Sequence, residues 1–439
     1  MSSDLAPTTA NATSMWNLMN QLFPIHRTLV GPGFQESLSI IQRILPIQVH
    51  KFPSGMQCLG WTIPKAFVIK AGFVEASNGT HPIDFIDCNY HVWNYSQPFD
   101  GILDREELIK HIATRPYLPD AIPLKVTYYR SKWGLSASQK QVDALPPGKY
   151  RVHIDTLLYD DFLRIGDYCL PGEISSEILI TSYLCHPRGA NDNQSGVVLA
   201  IELFKLLAQL PKRRYTYRLL IWPEGIGAIT YLANFRDRLA RTLGGYVVTC
   251  VGDSGPLHYK KSYFGNSVFD RAALHALRHF GYPYRVIDFN FSRGSDETYL
   301  SGPGIRLPFG SIMRTPYAAF PQYHTSKDDL EFVKPERLLE SLAVYWKTIQ
   351  ILEKNRIYEP GYVGLPFLTS YGIYPFWAGA GEGSVGTRKA EAYYHFMGLV
   401  DGERDLLAIA DYVQENIDLF DRPVAEFLQA KLIKERSML

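Results

Sequence analysis

From about residue 177 the chain alternates apolar runs with amphipathic stretches. Glu177-Ile178-Leu179-Ile180-Thr181-Ser182-Tyr183-Leu184 reads as a buried strand, and Ser195 to Leu210 as a helix. Tyr217–Trp222 and Gly245–Val251 read as further strands, Ala228–Leu243 and Val268–Phe280 as helices. Such repeated strand–helix units predict an α/β sheet covered on both faces. Val333–Lys354 is a long amphipathic helix that closes this part. Upstream, Met15, Leu18, Met19 and Leu22, then Phe34, Leu38, Ile41 and Leu45, carry the three-and-four spacing of two helical pieces.

Between them the character changes. From 56 to 165, alternating runs such as Ala66–Val74 and Lys149–Asp155 are broken by Asn78-Gly79, Pro98, Pro123 and Pro146-Pro147-Gly148. That is an inserted β-rich domain with turn punctuation. Pro360–Gly386, rich in Gly, Pro and aromatics, reads as a linker or extended excursion. Residues 386–439 turn helical again. The predicted domains are therefore 1–55 with 166–365, 56–165, and 386–439.

Charge and composition exclude more than they assign. Lys+Arg 45 against Asp+Glu 44 offers no field for nucleic acid or an anionic membrane. No run approaches the roughly 18 apolar residues of a membrane span. Residues 1–14 lack the basic start and apolar stretch of a secretory signal. The 5 cysteines are scattered and odd in number, as expected of reduced, cytoplasmic thiols.

The chemistry lies at strand ends. His186 and Asp192 stand in Cys185-His186-Pro187-Arg188-Gly189-Ala190-Asn191-Asp192-Asn193, Glu224 in Pro223-Glu224-Gly225, Asp253 in Gly252-Asp253-Ser254, and His324 in Tyr323-His324-Thr325. Ligands of open α/β sheets collect beyond the carboxyl ends of the strands. Two imidazoles and three carboxylates gathered there suit zinc-type hydrolysis. Asp192 would bridge two cations, with Asn191 and Asn193 fixing its loop; the bland alternative is a helix cap. Glu224 would act as general base. Asp296 and Glu297 are candidates for holding a substrate ammonium or orienting a ligand. Arg314 is a candidate for a substrate carboxylate, with a structural salt bridge as the default.

These motifs, with Trp61-Thr62-Ile63-Pro64-Lys65, Lys132-Trp133-Gly134 and His324-Thr325-Ser326, resemble the zinc aminopeptidases of the phosphorylase/hydrolase-like fold. More closely, the chain is similar to a bacterial aminopeptidase-like group with a β-rich insertion and a C-terminal winged-helix domain. The resemblance implies a mixed sheet flanked by helices. It makes His186, Asp192 and Asp253 one complete metal site and gives His324 to a second. Glu224 falls at the base. One departure stands out: a second glutamate, a metal ligand in the aminopeptidases, is Gly225 here. The second ion then binds weakly or is absent, or Glu224 is recruited as ligand.

The expected activity is zinc-dependent hydrolysis of a small peptide or amide. The alternatives are a deacylase or amide-forming enzyme on a biosynthetic intermediate, and a catalytically degenerate scaffold. The winged-helix-like tail has 7 Lys/Arg and 10 Asp/Glu over residues 387–439, a net of 7 − 10 = −3. DNA binding needs phosphate neutralisation, so the tail is read as a packing or oligomerisation module and leaves a homo-oligomer open.

Overall fold

The computed structural model describes residues 5–375 and 385–436. Its centre is a mixed eight-stranded sheet: β1 (Gln48–Pro53), β2 (Phe162–Leu170), β3 (Glu177–Tyr183), β4 (Thr216–Trp222), β5 (Thr242–Val247), β6 (Leu257–Lys260), β7 (Tyr284–Ile287) and β8 (Phe309–Met313). The spatial order is β1-β2-β4-β3-β5-β8-β6-β7. β4, β3, β5 and β8 run parallel, while β1, β2 and β6 pair antiparallel with a neighbour. This is the α/β mixed sheet flanked by helices that the sequence implies.

Every residue of β3 and β4 is buried, as expected of parallel strands covered on both faces. The Ser195–Gln209 helix lies in the interior, with only Lys205, Ala208 and Gln209 outside its buried set. Its buried Glu202 is held by Ser14 Oγ at 2.5 Å, Asn11 Nδ2 at 3.0 Å and Lys205 Nζ at 2.7 Å. The first two donors sit on the Thr9–Leu22 helix, so this carboxylate ties the N-terminal helix to the sheet's main cover. Gly245 in β5 answers a close approach: a Cβ there would meet the Leu179 carbonyl oxygen at 1.8 Å.

A charged cluster crosses β2 and β4. Arg218 grips Glu177 through Nε (2.8 Å) and Nη2 (2.9 Å) and gives Nη1 to Asp167 (2.7 Å). Asp167 also accepts from Arg238 (2.6 Å) and meets His50 Nε2 at 2.9 Å. Burial works to raise the Asp167 carboxyl, but its three cationic or donor partners outweigh that and hold it below the ordinary range. A depressed carboxyl contributes stability that is full above its unfolded value, about 3.9, and is lost as pH falls through the folded value. Removing one partner of a buried pair strands the others. Asp167→Ala is expected to cost about 3–5 kcal/mol in denaturant unfolding at neutral pH; a loss within 0.5 kcal/mol, the rough range of a surface substitution, would contradict this.

The chain leaves the sheet after Pro53 and returns at Phe162, which is its register partner across β1 and β2. The excursion carries an antiparallel four-stranded sheet, in the order Ile83–Asp84, Ala66–Ala76, Lys149–Tyr159, Phe99–Asp104. Its core includes Phe67, Val74, Tyr95, Leu135, Tyr150 and Val152.

The chain forms two compact units. One holds the residues up to Phe269 together with Tyr282–Trp346, the other Asp270–Gly281 and the chain from Lys347 on. The second unit contains helices Val385–Leu399, Leu406–Tyr412 and Asp421–Gln429 and an antiparallel pair, Tyr358–Pro360 with Ile433–Glu435. Phe396, Leu407, Ile417, Phe420 and Phe427 are buried within it. Arg271 clasps Asp405, and the fully buried His275 meets Asp411 at 2.8 Å. Of the predicted linker 360–386, residues 376–384 lie outside the described residues. Among the described residues no helix is long and apolar enough to cross a membrane.

Some predicted boundaries moved. The helix expected over Ala228–Leu243 runs Ile226–Asn234, followed by a short turn at Arg236–Leu239. β5 starts at Thr242 rather than Gly245 and ends at Val247. β1, β2, β6, β7 and β8 were not predicted; the last three are short and carry no clean alternation.

Candidate metal centre

Strand order reverses at β3. The chain passes from β3 to β4 on one side and then to β5 on the other. Loops leaving β3, β4 and β5 therefore diverge from one crevice, the place where such sheets bind ligands. His186 and Asp192 follow β3, and Glu224 follows β4. His324 comes from the Tyr323–Ser326 loop.

His186, Asp192 and His324 each offer a ligand atom, all within 4.8 Å of one another. Asp192 Oδ2 lies 3.2 Å from His324 Nε2 and 3.9 Å from His186 Nε2. Glu224 Oε2 stands 3.9 Å from His186 Nε2. Asp192 Oδ2 and His324 Nε2 are buried without a hydrogen-bond partner among the described residues. Facing lone pairs without a donor between them are costly when buried. A cation satisfies them together, so the donor set fits a divalent metal.

Protonation agrees. Burial, with His324 and Arg27 nearby, lowers His186 to about 4 against the pull of Asp192, so its lone pair is free at neutral pH. For Asp192, burial opposes ionisation, but His186, His324 and the Tyr183 hydroxyl outweigh it and bring the carboxyl to about 2. Burial, and then the negative charge of Asp192, push Glu224 well above the usual carboxylate range.

The loop that presents Asp192 is stitched from several sides. Asp328 accepts from the backbone N–H of Asn191 (2.6 Å) and of Asp192 (2.9 Å). Asn193 Nδ2 donates to Ser182 Oγ and the Val248 carbonyl, both at 3.0 Å, and its Oδ1 accepts from Gly196 and Cys250 N–H. The expected loop-fixing role of the two asparagines is thus visible in their bonds. Gly189 is required where it stands: its φ is +29°, and a Cβ would meet the Asp192 carbonyl oxygen at 1.8 Å. The fully buried Arg27 donates from Nε to the His186 carbonyl at 3.1 Å. His324 has φ +54° and stacks on Tyr323, ring centroids 3.8 Å apart. Left-handed backbone on such a residue marks strain held in place by its surroundings.

Asp253 does not join the cluster. Its Oδ1 accepts from Thr315 Oγ1 (2.6 Å) and Gly255 N–H (2.7 Å), and its Oδ2 from Asn191 Nδ2 and Thr315 N–H, both at 3.0 Å. It braces the Asp192 loop from behind. Arg314 is engaged by Glu340 and the Gly255 carbonyl, the structural ion pair given as its default, and not a substrate contact. Asp296 accepts from Trp222 Nε1 and Gly225 N–H, both at 2.7 Å, and so fixes the turn that carries Glu224. Glu297 is paired with Lys260 Nζ at 2.6 Å and Tyr317 at 2.9 Å. None of these four lines the cavity at the site. Ser295, which opens the candidate segment Ser295-Asp296-Glu297 and was given no role of its own, donates from Oγ to Glu224 Oε1 at 2.5 Å.

A cavity of about 290 Å³ opens onto His186, Glu224 and His324. The excursion between β1 and β2 gives it Asn94, Tyr95, Leu124, Lys125, Val126 and Tyr128. Tyr95 (φ +64°) and Tyr128 (φ +46°) share with His324 the left-handed backbone, so three strained residues meet at one cavity. Leu124 N–H bonds the His324 carbonyl at 2.8 Å, and Ser326 N–H the Ile122 carbonyl at 2.8 Å. The inserted segment thereby fixes the loop of a candidate ligand.

A family model described as "Domain of unknown function (DUF4910)" matches residues 16–355. The chain belongs to this family. A curated relative from Clostridium acetobutylicum, "Putative polysaccharide biosynthesis protein with aminopeptidase-like domain", is 40% identical over 399 residues, covering 90% of each chain. Among solved structures, a "putative peptidase" from Clostridium acetobutylicum matches with a TM-score of 0.88 at 36% identity, over 98% of this chain and 97% of that one. A zinc aminopeptidase from Bacillus subtilis matches with a TM-score of 0.55 at 14% identity, over 78% of this chain and 94% of that one. The last shows the shared fold. This DUF4910 member thus shares a fold with that aminopeptidase over 78% of its length.

Proposed function

We propose that the protein is a metal-dependent hydrolase of amide or peptide bonds, with His186, Asp192 and His324 as ligands and Glu224 as general base. The observation that carries this is the convergence of three donor atoms, two of them buried and unpartnered, beside a carboxylate that faces an open cavity. Zinc is the ion we assign, on the nitrogen-rich donor set and the zinc aminopeptidase that shares the fold.

A bound divalent ion supplies Lewis acidity toward a carbonyl oxygen and acidifies water. The protein supplies the rest. Ser295 holds one Glu224 oxygen and leaves the other toward the cavity. A cation held by the ligand set would offset the burial and the Asp192 charge that raise Glu224; as a carboxylate it would take a proton from the attacking water and return it to the leaving amine. Tyr95, Tyr128, Leu124 and Val126 give the substrate apolar walls, and Lys125 is the one Lys or Arg among the cavity's lining residues. A space of this size suits a small or end-bound substrate. A second reading, deacylation or amide formation on a biosynthetic intermediate, is favoured by the name of the Clostridium acetobutylicum relative. We read residues 56–165 as the domain that shapes access, and the C-terminal residues as a winged-helix-like packing module.

The test is hydrolysis of a panel of aminoacyl amides and N-acyl amino acids or sugars before and after chelation. Turnover of at least one class, abolished by a chelator and restored by zinc, is expected. Turnover that survives complete metal removal would sink the proposal. Aminoacyl amides as the preferred class separate the first reading from the second.

A further inference from the structure

We infer that the centre is built for one divalent ion rather than two. This rests on the metal-dependent reading above and concerns how many ions the residues admit.

In the common bridging mode a carboxylate offers one oxygen to each of two ions. Here the two oxygens of Asp192 are unequal. Oδ2 faces His186 and His324. Oδ1 is taken by the hydroxyl of Tyr183, which donates to it at 2.6 Å from the last residue of β3. That hydroxyl also lies 2.8 Å from Thr249 Oγ1. Its single proton is spent on Asp192, so Thr249 must donate to it. A chain Thr249 to Tyr183 to Asp192 fixes the carboxylate and occupies its second oxygen with a short hydrogen bond, turning that oxygen away from His186 and His324.

Two further positions close the same door. Asp253, the carboxylate that would complete a separate site beside His186, has both oxygens engaged by Thr315, Gly255 and Asn191. Gly225, where the resemblance places a ligand glutamate, has φ +69°. Side chains rarely adopt that conformation. Its N–H is tied to Asp296, and a Cβ there would already touch the Tyr299 ring at 3.4 Å. What remains is one convergent set: His186 Nε2, Asp192 Oδ2 and His324 Nε2, leaving room for water or substrate as in catalytic zinc sites with three protein ligands.

The experiment is calorimetric titration of the metal-stripped, full-length protein with zinc, wild type beside Tyr183→Phe. The wild type is expected to saturate at one equivalent. Tyr183→Phe keeps the ring volume but frees Oδ1 and lets the carboxylate turn. It is expected to bind one equivalent about 10–100-fold more weakly, the usual effect of losing a group that orients a metal ligand. Two equivalents of comparable affinity in the wild type would overturn the inference and leave the metal-dependent reading standing. An unchanged affinity in Tyr183→Phe would overturn the role of the hydroxyl. No zinc bound by the wild type would overturn the metal-dependent reading itself. The wild-type stoichiometry decides the count even if the variant does not fold.

Discussion

Glu224→Gln is expected to lower kcat by about 10²–10⁴-fold while metal content stays at the wild-type level. The amide keeps the shape and still meets Ser295, whose Oγ lies 2.5 Å from Glu224 Oε1. It cannot take a proton. The ion stays because Glu224 is no member of the convergent set of His186, Asp192 and His324. KM is expected to change less than kcat, since the base acts on the proton in flight more than on the bound substrate. Steady-state kinetics and elemental analysis on one preparation check both halves. Wild-type turnover in the variant would remove Glu224 from the base position. Loss of the metal would make it a ligand instead.

Asp192→Ala has the larger structural consequence. Asp192 is 1% exposed and is the one anionic ligand between two imidazoles. Without it the ion loses a ligand and most of the charge that holds it. Bound metal is expected to fall below a tenth of an equivalent, and turnover to drop at least as far as in Glu224→Gln. The Tyr183 hydroxyl loses its Asp192 acceptor and keeps only Thr249 Oγ1 at 2.8 Å, at a cost of about 0.5–1.5 kcal/mol, so unfolding midpoints should fall as well. Retention of a full equivalent of metal would show that Asp192 is only a brace for its loop. The two variants therefore separate base from ligand: one keeps the ion and loses chemistry, the other loses both.

Much of this was legible in the chain. His186, Asp192 and Glu224 each follow an apolar run that became β3 or β4, and strand ends are where an α/β sheet gathers ligands. Their convergence follows from strand order, since β3 lies between β4 and β5. Asp253 obeyed the same local rule and yet stands apart. Its partners Asn191 and Thr315 are 62 residues away on either side, and no local pattern announces such a pairing. Arg314 took its default, a structural ion pair, with Glu340 on the Pro335–Lys354 helix, a partner no local pattern names. Tyr183 was visible only as a buried strand residue; its hydroxyl gains meaning once Asp192 folds back across β3. Ser295 and Lys125 were hidden for the same reason, each brought to the site by a loop whose course the sequence does not state. Of the sheet strands missed, β1 and β2 flank the inserted segment and were not read apart from their surroundings, and β6 to β8 are four or five residues long. Runs that short carry little periodicity to read.

The measurement that goes to the centre of the account is elemental analysis of the purified full-length chain, wild type beside His186→Ala. Metal in the wild type and little or none in the variant is the predicted result. Equal metal in both would place the ion elsewhere. No metal in the wild type, even after zinc is supplied, would contradict the claim that these residues form a metal-dependent hydrolytic centre.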